Sequence, residues 1–461
     1  MIMPAPPNPY ADDMLSPSLR WGSALIPSVA SASMTTYLLT SGNWRQWGIE
    51  EMTPMTPSPT SFADLANITL TADCISQGAP VEPCDPYGRP FQPYAVLPAR
   101  ALAFFNIGLD QTGILGVLLA FTTVAMVIGL AILLAKSWQR RAAGLLLTQA
   151  AIALAAISPA VVLGMERGQI EQLTAALVVI ALLTLVSQRN TRWLGLVTSL
   201  LATMTKYLSV GMFLAFANRE TFTRRRWAPI FAAALSGVFL IISLPNMLQA
   251  AETSGSGNPQ TSMSAFGLTA TIATPLSGSP LYYGPPENIA AMWPTLRIIG
   301  LAIFIVLVAA LFFIIRNVQL PDSTSPEWTL TIGSGGVLLI PYLIGSSHDY
   351  RLIFLIPVIA GAGMWLGSTE DKRSRTIAVF VIAASTLSAV TSASMLPTPQ
   401  GWRWPASMVI VGDIGLIVTL ALTATCFLLH IAGSHNPTIE SGSENHIDIR
   451  GSDEAATRLS E

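Results

Sequence analysis

Uncharged apolar runs recur along the chain at lengths that suit a bilayer. The stretch Gly113–Ala135 has no ionisable residue and exceeds the roughly 18–20 apolar residues needed to cross a membrane as a helix. The same pattern predicts spans over 21–40, 113–135, 142–164, 170–187, 226–248, 296–315, 329–346, 352–367, 376–395 and 407–430. A further apolar stretch, 193–217, carries Lys206 near its middle. The first span is diluted by Ser and Thr. Only Arg20 precedes it, and the Pro-rich residues 1–19 are not the basic leader of a signal peptide, so it reads as an uncleaved anchor. The expected fold is all-α: a polytopic membrane protein of about 10–12 transmembrane helices, with one re-entrant segment and two long extracytoplasmic loops, 41–112 and 249–295.

Basic residues in the short loops set the expected orientation. Lys136, Arg140, Arg141, Arg189, Arg192, Arg224, Arg225, Arg226, Lys372, Arg373 and Arg375 all flank spans on one side. That side is read as cytoplasmic, which places segment 1–20 inside and loop 41–112 outside. Stretch 193–217 begins and ends beside these basic residues. A single crossing would put Arg224–Arg226 on the wrong side, so the stretch is expected to enter the membrane and return. Broken helices of this kind occur where backbone is buried in protein or lines a wet cavity.

Composition narrows the function classes. The 461 residues are 51% hydrophobic and only 11% charged, less than half the share of about 25% usual in soluble domains. A soluble enzyme, a secreted disulfide scaffold and a disordered chain are excluded. The tail 432–461 holds six acidic residues against Arg450 and Arg458, a net of −4, so the remainder carries +2 within a total of −2. The tail is polar and is expected to be a disordered cytoplasmic segment. No basic block suggests nucleic acid. There is no HExxH, CxxC or phosphate-cradling Gly-rich loop, so no metal or cofactor is expected.

Loop 41–112 has nine prolines between Pro54 and Pro98, with Phe62, Leu65, Ile68, Tyr87, Phe91 and Tyr94 interspersed, and is expected to pack. Its Cys74 and Cys84 lie ten residues apart on the oxidising side, where a disulfide bracing the loop is favoured. Cys426, in the last span, reads as packing.

Charges near hydrocarbon are costly and mark functional candidates. Four clusters map to the outer half. Asp64 sits in Phe62-Ala63-Asp64-Leu65, either as a base in an apolar setting or as the cap of a short helix starting near Leu65. Glu166-Arg167-Gly168-Gln169-Ile170-Glu171 forms a tight turn suited to a polar ligand, or an Arg167–Glu171 pair at i,i+4. Lys206 precedes Tyr207 and either snorkels to the interface or faces a buried anion. His348-Asp349-Tyr350-Arg351 offers a guanidinium fork for phosphate and a titratable imidazole, or an interfacial anchor. Asp413 is left without a role.

Glu166-Arg167-Gly168-Gln169, Lys206-Tyr207 and Asp349-Tyr350-Arg351-Leu352-Ile353-Phe354, in this order after an early Asp64-Leu65, resemble the GT-C superfamily of membrane glycosyltransferases. The resemblance covers about residues 20–430 and is nearest to the polyprenyl-phosphate-mannose-dependent mannosyltransferases of actinobacterial type. Gln169 stands where the family motif has Asn, Leu208 where it has Pro, and Ala66-Asn67-Ile68 where it has a polar-aromatic stretch. The resemblance implies a GT-C-like domain over 21–431, a polyprenyl-phosphate sugar donor entering from membrane lipid, and an envelope glycolipid or glycan acceptor on the outer face of the cell membrane. It implies Asp64 as the general base. Arg351, His348, Lys206 and Arg167 would bind the donor phosphate. Glu166, Gln169, Asp349 and Tyr350 would bind sugar or acceptor. A single base opposite the leaving group predicts inversion. The rival reading is a transporter or flippase of lipid-linked sugars, which would also carry intramembrane charge and broken helices.

Overall fold

The computed structural model describes residues 16–41, 62–78, 96–140, 142–187, 191–217, 227–253, 265–277, 291–344, 347–391 and 406–432. Its helices are α1 (Pro17–Ser41), α2 (Ala63–Ser76), α3 (Val96–Phe104), α4 (Thr112–Ser137), α5 (Ala142–Ala156), α6 (Pro159–Arg167), α7 (Glu171–Val186) and α8 (Arg192–Thr205). After a 3-10 helix, Tyr207–Phe216, come α9 (Trp227–Thr253), α10 (Leu268–Ser277), α11 (Trp293–Ile315) and α12 (Pro326–Ile344). A second long 3-10 segment, Asp349–Phe354, leads into α13 (Leu355–Ser368), α14 (Lys372–Thr391) and α15 (Ala406–Ile431). The described strands, Ala265–Phe266 and Ser347–His348, pair antiparallel.

The all-helical membrane architecture is as expected. Among the described residues seven helices are long and apolar enough to cross a bilayer, and α5 with α6 makes an eighth if that bent pair is one span. The remaining expected segments are helical as well, but fall outside a count made on length and apolarity alone. Helix α1 is long enough but too rich in Ser and Thr. Helix α7 has only 16 residues, about 24 Å at 1.5 Å per residue. Stretch 193–217 divides into two short pieces. The 142–164 span is itself broken by 43° where Ser158 and Pro159 restart the helix, with Ser158 Oγ accepting from the Val161 N–H.

The bundle is built around α12 and α13, whose spans are 78% and 83% buried, while α9 and α11 are only 22% and 17% buried and lie at its edge. Helix α12 contains a π-helical turn, Thr329–Gly333.

Stretch 193–217 is a hairpin. Helix α8 rises 14 residues and the 3-10 arm returns over 10. At 1.5 and 2.0 Å per residue, both arms are about 20 Å long, so the chain comes back to the level where it started. The returning arm seats against α12. Gly211 and Gly336 meet backbone to backbone, leaving no room for a Cβ on either. Near its end the Ala215 carbonyl accepts from Trp328 Nε1 at 2.9 Å. Small residues at such crossings permit the close packing that substitutes for hydrophobic driving force in lipid.

The 41–112 loop packs where it is described. Ile68 and Ala72 of α2 form a small core with Ala99 and Ala103 of α3. Thr69 Oγ1 and Thr112 Oγ1 share a hydrogen bond of 2.6 Å that ties α2 to α4. Tyr87, Phe91, Tyr94 and the tail beyond Ala432 lie outside the described residues.

Candidate active site

Two charged clusters flank the turn between α6 and α7. Gly168 makes that turn, capping α6 at φ 63°. An L side chain there is strained, and a Cβ would also press on Leu65 and Phe62. Phe62 lies between Gly168 and Gly116 of α4. Its N–H donates to the Glu166 carbonyl at 2.9 Å. The aromatic ring and this one backbone bond seat the start of α2 on the turn.

Asp64 lies one residue into α2, and no side chain caps that helix. Its carboxylate is spent elsewhere. Arg167 Nη2 donates to Oδ1 at 3.0 Å and Arg167 Nε lies 2.8 Å from Oδ2, a two-point guanidinium contact. The Gln169 amide also donates to Oδ2. Such a fork fixes the plane of the carboxylate as well as its position. The side chains remain open to solvent, at 28% exposure for Asp64 and 26% for Arg167. Glu166 is buried beside them.

The second cluster is dry. Glu171 opens α7 and Lys206 closes α8, each charge suiting its helix end. Lys206 Nζ lies 2.7 Å from Glu171 Oε1, and Arg351 Nε lies 3.5 Å from the same oxygen. Exposure is 1% for Glu171, 7% for Lys206 and 16% for Arg351. The other carboxylate oxygen, Oε2, is buried with no hydrogen-bond partner among the described residues. A small cleft opens here, lined by Glu171, Thr174, Lys206, Leu208, Ser209, Val337, Leu338, Arg351 and Phe354. Ser209 Oγ donates to the Lys206 carbonyl at 2.8 Å, and Thr174 and Thr205 hydroxyls meet at 3.0 Å. The first bond braces the hairpin tip and the second ties it to α7.

The structure thus joins Asp64 to Arg167 and Gln169, and Lys206 to Arg351. Arg167 turns to Asp64 across 103 residues instead of to Glu171 at i,i+4. Lys206 is buried rather than snorkelling. His348 is placed by its backbone pairing with Ala265; the side chains of His348, Asp349 and Tyr350 lie outside the described set. Cys74 is disulfide-bonded, and Cys84 lies outside the described residues. Cys426 is free and buried. Glu171, which the sequence offers only as a member of the polar turn or as the i,i+4 partner of Arg167, is the residue whose place beside Lys206 and Arg351 sequence reasoning missed. Among the described residues no three His, Cys, Asp or Glu side chains are grouped to hold a metal.

A model of glycosyltransferase family 87 matches residues 92–341, more than half of the chain. The matched stretch contains Glu166, Arg167, Gln169, Glu171 and Lys206; Asp64 and Arg351 fall outside it. No curated protein and no solved structure matches the chain.

Proposed function

Because the chain belongs to glycosyltransferase family 87, we propose that it transfers a sugar, mannose, from a polyprenyl-phosphate donor to an envelope glycolipid or polysaccharide. The reaction takes place on the outer face of the cell membrane, with both chain termini in the cytoplasm. What supports this reading is the pairing of two unlike clusters across one three-residue turn. A half-open carboxylate stands on one side and buried cations stand on the other.

Asp64 acts as general base. The acceptor hydroxyl oxygen attacks the anomeric carbon of the donor as the bond from that carbon to the phosphate oxygen breaks. The hydroxyl proton goes to the Asp64 carboxylate, and the electron pair of the broken bond goes to the lipid phosphate. A positioned base of this kind contributes roughly 10²–10⁴-fold. Arg167 and Gln169 hold the carboxylate plane toward the acceptor. Lys206, Arg351 and His348 take the charge that grows on the leaving phosphate. Fixed cations do this best where water is excluded. Glu166, Asp349 and Tyr350 contact sugar hydroxyls. Attack opposite the leaving group inverts the anomeric centre.

The test is incubation of purified protein with labelled polyprenyl-phosphate-mannose and an envelope glycolipid extract, followed by identification of the product. The expected product is a mannosylated lipid or glycan of inverted configuration. Retained configuration, or no transfer from any polyprenyl-phosphate sugar, would remove this reading.

A further inference from the structure

The buried carboxylate of Glu171 shares its pocket with the two cations assigned above to the donor phosphate. One of its oxygens takes both Lys206 at 2.7 Å and Arg351 at 3.5 Å. The other oxygen is buried without a hydrogen-bond partner among the described residues, and Glu171 lines the same cleft. A carboxylate in this place fixes the cations, but it also stands as a negative charge against anything anionic that enters. In a site only 1% exposed at the carboxylate, little water screens that repulsion.

We propose that Glu171 is a positioning residue that sets how the cleft discriminates between phosphate diester and phosphate monoester, narrowing the advantage that Lys206 and Arg351 alone would give the doubly charged spent lipid phosphate over the donor. This rests on the reading of Lys206 and Arg351 as phosphate-binding groups. Before transfer the lipid phosphate is a diester with one negative charge. After transfer it is a monoester whose charge approaches two, because a phosphate monoester loses its second proton near pH 6. Glu171 repels the second species more than the first. The reaction itself therefore raises the repulsion at the carboxylate, which offsets part of the stronger pull of the two cations and eases release of the spent phosphate. The same oxygen that aligns the cations for the donor sets the limit on how much negative charge they will hold.

The experiment compares wild type with Glu171→Gln and Glu171→Asp, purified in the same detergent. Binding is measured for two probes of equal chain length, a polyprenyl monophosphate and its mannosyl diester. Glutamine keeps the size and loses the charge; aspartate keeps the charge. The expected result is that Glu171→Gln tightens the monoester relative to the diester by about tenfold or more. In turnover it lowers kcat and KM together, with stronger inhibition by the monophosphate. Glu171→Asp keeps the wild-type ratio. An unchanged ratio in Glu171→Gln, or equal weakening of both probes in both variants, overturns the proposal and leaves Glu171 a structural counterion. The ratio is read from binding alone, so absent sugar transfer by wild type tells against the proposed reaction without deciding this point.

Discussion

The two charged clusters beside Gly168 use similar chemistry in opposite surroundings. In the Asp64–Arg167 pair about a quarter of each side chain is exposed. In the Glu171–Lys206–Arg351 group the carboxylate is sealed and the cations nearly so. A pair that water still reaches contributes less to stability than a sealed one, so the first cluster carries the smaller share of holding the protein together. Breaking a buried pair costs about 3–5 kcal/mol because an uncompensated charge is left behind. The second cluster is therefore part of the fold as well as of the site. One turn of chain separates a group that can be altered for chemistry alone from a group that cannot.

The largest effect expected is on rate. Asp64→Asn should lower sugar transfer by about 10²–10⁴-fold while leaving the thermal unfolding midpoint within a degree or two of wild type. A melt that falls with the rate would erase the distinction between the clusters. Next, Lys206→Met should destabilise by about 3 kcal/mol, read as a lowered melting temperature in detergent, with transfer lost as well. The triple change Glu171→Leu, Lys206→Met and Arg351→Met sharpens the point. It should recover much of that stability and none of the activity, since replacing a whole buried charged triad by apolar groups is often neutral. Gly168→Ala follows, at about 1–2 kcal/mol for the left-handed backbone. Its added contact with Phe62 and Leu65 should lower transfer more than the melt. The smallest is Thr69→Val, which removes the bond to Thr112 at a cost of about 1 kcal/mol and should leave turnover intact. A large activity loss there would mean α2 is held by that bond rather than by Phe62.

Much of the fold was legible in the residues, for reasons that differ from element to element. The runs at 113–135, 296–315 and 407–430 are uniform enough that length alone finds them. The hairpin at 193–217 was found from the basic residues at both its ends, because charge placement constrains parity even where periodicity says nothing. The break at Ser158-Pro159 had its signal in plain view, a helix-capping Ser followed by a Pro suited to a first helical turn, yet apolar continuity concealed it. At the site, the members of the clusters were visible as costly charges, but their pairing was not. Arg167 and Glu171 stand at the spacing of helical neighbours, and that local match is defeated by the turn at Gly168. Arg351 reaches Glu171 across 180 residues, a separation over which single-sequence patterns carry no information. The pairing of Glu171 with Lys206 and Arg351 follows from the fold alone.

The hairpin also bears on the order in which the chain is made. Its tip needs Glu171, which is synthesised earlier. Its returning arm needs Gly336 and Trp328, the latter 113 residues downstream of Ala215. While residues 193–217 leave the ribosome, neither a full membrane crossing nor a finished seat exists for them. The segment must wait at the bilayer, half assembled, until α12 arrives and closes the groove over the 3-10 arm. Assembly of the cleft is thus a late event in biogenesis, and bulk introduced at Gly336 would show first as a chain that inserts normally but never matures.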